Sequence, residues 1–422
     1  MLYVTPREDA MTTQSCPFLP NGYDFTDPDV LLHGIPVAEF AQLRKTAPVW
    51  WNEQGESIFD DGGYWVISRH EDIKDISRNS ALWSTNAKGA VMRLPEGVTA
   101  EQLDLTKALL INHDAPEHTR LRKIVSRLFT PRAIAGMEAK LAGAARDIVA
   151  AAAAKDSGNF VDDVAMMLPL QAIADLIGVP EADREKLFHW TNCIMNTDDP
   201  DFDSDPTVAN AELMGYAYAM AEQRRRCPAD DIVTRLVQAG SDEEGGDALG
   251  EVEFAFFVIL LAVAGNETTR NAMTHGMNAF LENPDQWELF KRERPDTAVD
   301  EIIRWATPVH CFQRTALDDV EIGGVTIAKG QRAGLFYSSA NFDEDVFDRP
   351  FQFDILRNPN PHLAFGGNGA HFCIGANLAR MEIKLMFDEI ADQIPDIRKL
   401  GEPQRLRSGW INGVKDLQVA YH

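Results

Sequence analysis

Phe365-Gly366-Gly367-Asn368-Gly369-Ala370-His371-Phe372-Cys373-Ile374-Gly375 is the stretch on which the reading of this chain turns. It delivers one cysteine from a glycine-rich, irregular loop to the start of a helix expected over 374–394. The thiolate is the metal-binding form of cysteine, and a helix N-terminus favours it. Glycines let the backbone turn tightly and bring N–H groups up to the sulfur. Such hydrogen bonds tune a metal–thiolate bond. An isolated cysteine elsewhere would read as a small buried apolar residue. Here the glycine frame and the helix start favour a ligand. The other four cysteines, Cys16, Cys193, Cys227 and Cys311, are widely spread and make no CxxC pair, so neither a disulfide framework nor a zinc site is expected.

Working outward, the rest of the chain must hold that loop. Its 422 residues, 45% of them apolar, can bury a large core. A net charge of −25 argues against nucleic acid or an anionic membrane as the main partner. Residues 1–20 lack a signal-peptide pattern, which makes the cytoplasm the default location. The longest apolar run, 254–264, is too short to span a bilayer and suits a buried helix. Residues 1–25 read as a flexible leader and 26–422 as one domain. Helical patterns fit 36–46, 70–79, 116–129, 130–154, 163–178, 181–197, 208–227, 229–239, 250–282, 284–292, 296–306 and 374–394. Strands are expected over 49–52 and 64–68, with further strand-like alternation over 312–336 around the turn Gly323-Gly324. Residues 85–112 read as a long loop with room for a short helix, and 343–372 as irregular. The class is mainly α with a minor β part.

Three other segments carry polar residues in telling places. Glu301-Ile302-Ile303-Arg304 sets an acid and a base three apart on one helix face, where they can pair. Ala264-Gly265-Asn266-Glu267-Thr268-Thr269 lies inside the apolar helix, where buried Glu and Thr are costly unless used. A threonine there can bond back to the carbonyl one turn earlier. In His113-Asp114-Ala115-Pro116-Glu117-His118-Thr119-Arg120-Leu121-Arg122, His118 and Arg122 share a helix face.

With these motifs in this order, the loop Phe-Gly-Gly-x-Gly-x-His-x-Cys-x-Gly resembles the haem-binding loop of the cytochrome P-450 superfamily, and the resemblance covers about residues 20–420. It implies that family's fold, with a long central helix over the haem and the cysteine loop before the last helix. Haem b would be ligated by Cys373, with His118, Arg122, Arg314 and His371 on its propionates and Phe365, Gly375, Ala264 and Gly265 beside it. Glu267 and Thr268 would deliver protons to bound dioxygen. Glu301, Arg304 and Arg357 would be structural. Three departures stand out: Ala340-Asn341-Phe342-Asp343 where Ala-Asn-Arg-Asp is usual, Gly367 where a histidine is frequent, and Glu267 for the commoner aspartate.

Leu19–Phe25, Ala264–Asn271 and Ser408–Gly413 look most like actinobacterial steroid side-chain monooxygenases. That implies hydroxylation of the terminal methyl of cholesterol or cholest-4-en-3-one, with terminal hydroxylation of fatty or branched-chain lipids as the rival. A non-oxygenase haem sensor or isomerase is the alternative from another class, and Glu267-Thr268 argues against it. The pocket must be long and apolar; Val91, Leu94, Leu260, Val263, Ala264 and Trp410 are candidates to line it. No flavin or iron–sulfur domain is visible, so electrons would come from NAD(P)H through a reductase and a ferredoxin. The cluster Arg120, Arg122, Lys123, Arg127 and Arg132 could dock an acidic ferredoxin.

Overall fold

The apolar run 254–264 belongs to one helix, Glu251–Glu282, of 32 residues, roughly 48 Å long at the usual rise. Glu253 caps its start by accepting from the Gly250 N–H at 2.8 Å, and acidic side chains in a first turn suit the helix dipole. Asn283-Pro284 ends it, and a new helix begins at the proline, where no N–H is needed. A helix apolar all round must be surrounded. By length and composition it is the one described helix able to cross a bilayer. Here it threads the core instead, against Met167–Ile177, Arg184–Met195, Pro206–Arg226, Thr297–Ala306 and the last helix Ala376–Gln393.

Two glycines set how closely these neighbours come. A Cβ at Gly276 would lie 2.6 Å from Ile302 Cγ2 and 3.1 Å from Phe387 Cζ. A Cβ at Gly265 would lie 2.6 Å from Ile173 Cγ1. The open side of Gly265 is therefore filled by a neighbouring helix. The lack of a side chain there permits close helix packing.

In this computed structural model the described residues are 19–55, 57–94, 97–202, 205–228, 232–238 and 249–422. A five-stranded sheet flanks the helices in the order Val49–Glu53, Gly63–Ile67, Arg332–Phe336, Cys311–Ala316, Trp83–Ser84. All its pairs are antiparallel except Gly63–Ile67 with Arg332–Phe336, where Trp65 meets Ala333. Smaller ladders include Val320–Ile322 with Val325–Ile327, turned at Gly323-Gly324, where φ is positive at both glycines. The alanine-rich stretch breaks into Pro131–Ala135 and Glu138–Ala153. A short helix, Ala100–Thr106, interrupts the loop expected over 85–112. Residues 395–422, unassigned from sequence, form short strands; Gln418–Ala420 pairs with both Ser157–Asn159 and Arg398–Lys399.

Of the leader expected over 1–25, residues 1–18 lie outside the described residues. Phe25 is buried against Phe40, Trp50 and Phe336. The start of the helix expected over 229–239 also lies outside them; Ile232–Gln238 is helical.

Gly265→Ala gains about 1 kcal/mol of helix propensity and meets an overpacking cost of about 1–3 kcal/mol. The expected outcome is a lower melting temperature in the parent and a higher one in an Ile173→Ala background, where the new methyl fills space. Equal shifts in both backgrounds would contradict this packing role.

Candidate active site

The cysteine loop is closed by its own backbone: Cys373 N–H donates to Phe365 O at 2.8 Å, Gly366 N–H to Leu363 O at 2.8 Å, and Phe372 N–H to Gly369 O at 3.0 Å. Gly366 turns at φ +94°, which side-chain-bearing residues avoid. Gly367 and Gly369 press on the end of helix His70–Arg78; a Cβ at Gly367 would lie 2.5 Å from Ser77 Cβ, and one at Gly369 would overlap Ser77 O. The guanidinium of Arg122 donates to Phe372 O, next to the sulfur. Arg380, from the last helix, stacks 4.6 Å from the Phe365 ring centroid.

Cys373 is exposed, whereas Ala376 and Leu378 just after it are buried. Its surroundings push the thiol up, while the Gly375 N–H, Arg122 and Arg380 pull the other way. The helix start therefore does not ionise the sulfur by itself. Ionisation goes with metal binding, which deprotonates a coordinating thiol outright.

Several residues of the long helix and of the cysteine loop fail to bury. Ala264 is exposed in mid-helix although Leu261, Ala262, Asn266 and Glu267 around it are buried. Leu260 and Val263 on the long helix, with Phe365 and Ile374 on the loop, are half-buried against the same core.

Near the cysteine loop two histidines and two arginines come together. The His118 and His371 rings stand 4.2 Å apart. Burial, with Arg122, Arg314 and His113 nearby, lowers His118 to about 4 and His371 to about 2. Both rings are thus neutral near pH 7 and can donate one N–H each. His371 Nε2 bonds Thr85 Oγ1 at 3.0 Å, and Asp114 in turn holds Thr85 through its N–H at 2.9 Å. Arg314 is buried and donates to Gln313 O at 2.7 Å.

On the long helix, Thr268 Oγ1 donates to Ala264 O at 2.6 Å. Glu267 is fully buried. Its Oε1 accepts from Arg270 and, at 3.0 Å, from Asn271 Nδ2, and its Oε2 has no partner.

Glu301, Arg304 and Arg357 come together as one buried network. Arg304 grips both Glu301 oxygens at 2.8 Å, and Arg357 Nε reaches Oε2 at 3.0 Å. Both arginines also bind carbonyls of residues 341–352. Fixing this irregular segment fixes the approach to the cysteine loop.

Of the residues suggested to line a substrate pocket, Val263 and Trp410 share an apolar wall with Met195, Phe202, Val309, Leu406 and Ile411. Phe312 stands 6.0 Å from Trp410. Leu260 lies with the main core instead. Val91 and Leu94 are half-buried and share no apolar cluster with that wall among the described residues. Sequence reading missed Met195, Phe202, Val309, Thr85, Arg270 and Asn271. Only Thr85 had a usable signal, a hydroxyl just after a short strand. The basic cluster is also divided: Arg122 turns inward to the loop and Arg120 is held by Glu117 and Glu253, while Lys123, Arg127 and Arg132 are exposed.

These features fit a flat macrocycle with two carboxylate arms. The Cys373 thiol is exposed, and so is Ala264 in the middle of an otherwise buried helix. Arg122 and Arg314 lie near the neutral rings of His118 and His371, and His118 Nε2 is buried without a partner among the described residues. Buried polar groups of this kind call for a ligand that pairs them. The fold and this cleft define a haem-thiolate protein.

The sequence pattern of the family Cytochrome P450 matches residues 295–390. A steroid C26-monooxygenase of Rhodococcus jostii (strain RHA1) is 59% identical over 412 residues, 97% of this chain and 87% of that protein. A methyl-branched lipid omega-hydroxylase of Mycobacterium tuberculosis (strain ATCC 25618 / H37Rv) is 42% identical over 90% of both chains. Among solved structures, cytochrome P450 CYP268A2 of Mycobacterium marinum, in complex with pseudoionone, superposes with a TM-score of 0.84 at 36% identity, covering 91% of this chain and 94% of that one. The chain belongs to the cytochrome P450 family.

Cys373→Ser is expected to abolish the red-shifted carbon-monoxide band of a thiolate haem while the protein stays folded by circular dichroism. A variant that keeps this band would show that another residue ligates the iron.

Proposed function

We propose that this chain is a cytoplasmic monooxygenase that hydroxylates the terminal methyl of a steroid side chain, cholesterol or cholest-4-en-3-one. The observation that carries the reading is the 59% identity to a steroid C26-monooxygenase across 97% of the chain. The apolar wall of Val263, Met195, Phe202, Val309 and Trp410 supports it. A terminal methyl is the least reactive C–H on such a chain, so the protein must hold the substrate end-on. Terminal hydroxylation of a branched lipid makes the same demand, and the relative so named is more distant, at 42%.

When bound, haem supplies the dioxygen chemistry: with two electrons and two protons, one oxygen atom enters the C–H bond and the other leaves as water. The chain's own residues do the rest. Cys373 would hold the haem iron through its sulfur. Arg122, Arg314, His118 and His371 would pair the propionates, with Asp114 and Thr85 orienting His371. Thr268 and Glu267 move protons toward the oxygen site; the unpartnered Oε2 of Glu267 is the atom open for this. Glu301, Arg304 and Arg357 brace the loop.

Electrons would come from NAD(P)H through a reductase and a ferredoxin. Lys123, Arg127 and Arg132 are exposed on or beside the helix whose Arg122 touches the cysteine loop, a basic patch on a chain of charge −25. Such a patch steers an acidic partner. Charge reversal at Lys123 and Arg132 should raise the KM for ferredoxin several-fold and flatten its salt dependence. An unchanged KM would remove this docking face.

Titration of the purified protein with cholest-4-en-3-one should shift the ferric haem toward high spin, and turnover should yield the terminal alcohol. No spectral change with the steroid, alongside a full change with a methyl-branched fatty acid, would overturn the steroid assignment.

A further inference from the structure

The loop after helix Arg184–Met195 contributes Phe202 to the apolar cluster with Val263 and Trp410 that is proposed above to line the substrate pocket. Asp199 and Asp201 of this loop are paired. Lys415 Nζ donates to both oxygens of Asp199 at 3.0 Å and to Asp201 Oδ2 at 2.5 Å. Asp199 is buried and also accepts from Arg407 N–H at 2.9 Å. Phe202 N–H closes on Asp199 O at 3.1 Å. Asp199 and Asp201 are therefore fastened, through Lys415, to the strand Val414–Asp416.

That strand also reaches the long helix. Val414 N–H donates to Asn271 Oδ1 at 3.0 Å, which fixes the amide orientation and turns Nδ2 toward Glu267. Asn271 Nδ2 then donates to Glu267 Oε1 at 3.0 Å and to its main-chain O at 2.9 Å. Arg270 takes the same Oε1 and touches Asn192 Oδ1 at 3.5 Å, back on the helix that leads into the loop. A chain of direct bonds thus runs from the wall residue Phe202 through Asp199, Lys415, Val414 and Asn271 to the buried carboxylate. It leaves Glu267 Oε1 doubly occupied and Oε2 unpartnered.

We propose that Lys415 is a positioning residue that couples the seating of the substrate-wall loop to the placement of Glu267 for proton delivery. The inference rests on the proton role of Glu267 proposed above. When Phe202 packs on substrate, Asp199 and Asp201 hold Lys415, the strand holds Asn271, and Asn271 keeps Oε1 engaged so that Oε2 alone exchanges protons. When the loop is loose, Glu267 loses one of the two donors that orient it. Electrons are then spent without product, because dioxygen reduction proceeds while the proton arrives from a misplaced carboxyl. Coupling of this kind requires a contiguous network whose two ends can be tested separately.

The test compares Lys415→Met, Lys415→Arg, Glu267→Gln and the double variant Lys415→Met/Glu267→Gln in the haem-loaded full chain. Lys415→Met should speed hydrogen–deuterium exchange about tenfold at residues 199–202 and also at the Val414 amide. At saturating cholest-4-en-3-one it should lower product per NAD(P)H several-fold, with the carbon-monoxide band unchanged. Lys415→Arg should restore coupling, and the double variant should be no worse than Glu267→Gln. Loss of substrate affinity with full coupling at saturation would make Lys415 a mere fastener and overturn the inference, as would a double variant worse than both singles. If Glu267→Gln keeps full coupling, the proton role of Glu267 fails first. If it uncouples and Lys415→Met does not, only the present inference fails. Should Lys415→Met fold poorly, Asp201→Asn loosens the same contact from an exposed position and should show the same paired changes, smaller in size.

Discussion

One sulfur, set at the end of a loop that closes on itself, is the constraint around which this chain is arranged. Cys373 is held by its own N–H to Phe365 O and by Arg122 gripping the carbonyl before it. The glycines leave room for this frame to seat against Ser77. None of those contacts ionises the sulfur; the net push on the thiol is upward. The protein supplies placement, and a bound metal would supply the ionisation. That division suits a site in which an electron-rich axial ligand must sit in apolar surroundings without being a labile anion before the metal arrives.

Placement has to be maintained across an irregular stretch, and a buried ion network does this. Glu301 receives two arginines from different parts of the chain and the Asp354 N–H at 2.9 Å. The arginines pass the constraint on to carbonyls of residues 341–352. Breaking one partner would leave an uncompensated buried charge, about 3–5 kcal/mol. The departures from the usual family pattern are absorbed locally. Phe342, standing where an arginine is usual, stacks on Phe351 and lies 5.2 Å from the Arg304 guanidinium. Gly367, where a histidine is frequent, is pressed against Ser77, and no larger side chain fits there.

What could be read in the sequence was whatever is written locally. The long helix shows as an apolar run, and its boundaries follow from a capping glutamate and a proline. The cysteine loop shows as a glycine spacing, and Glu301–Arg304 as a one-turn pair. The missing parts are long-range. Strand Gln418–Ala420 pairs with Ser157–Asn159, some 260 residues away; two- and three-residue strands carry no period to detect. Met195 and Phe202 line the wall only because the segment after one helix folds back on residues 406–411. The packing of Gly265 on Ile173 could not be read locally, since Ile173 lies on another helix. Lys123 and Arg122 are adjacent in sequence, yet one is exposed and the other faces the cysteine loop. Charge clustering alone could not separate them.

The most direct test is iron-edge X-ray absorption on the purified ferric protein. The account predicts one sulfur scatterer in the first coordination shell with four porphyrin nitrogens, and loss of that sulfur in Cys373→Ser. A first shell of nitrogen and oxygen alone in the unaltered protein would contradict it.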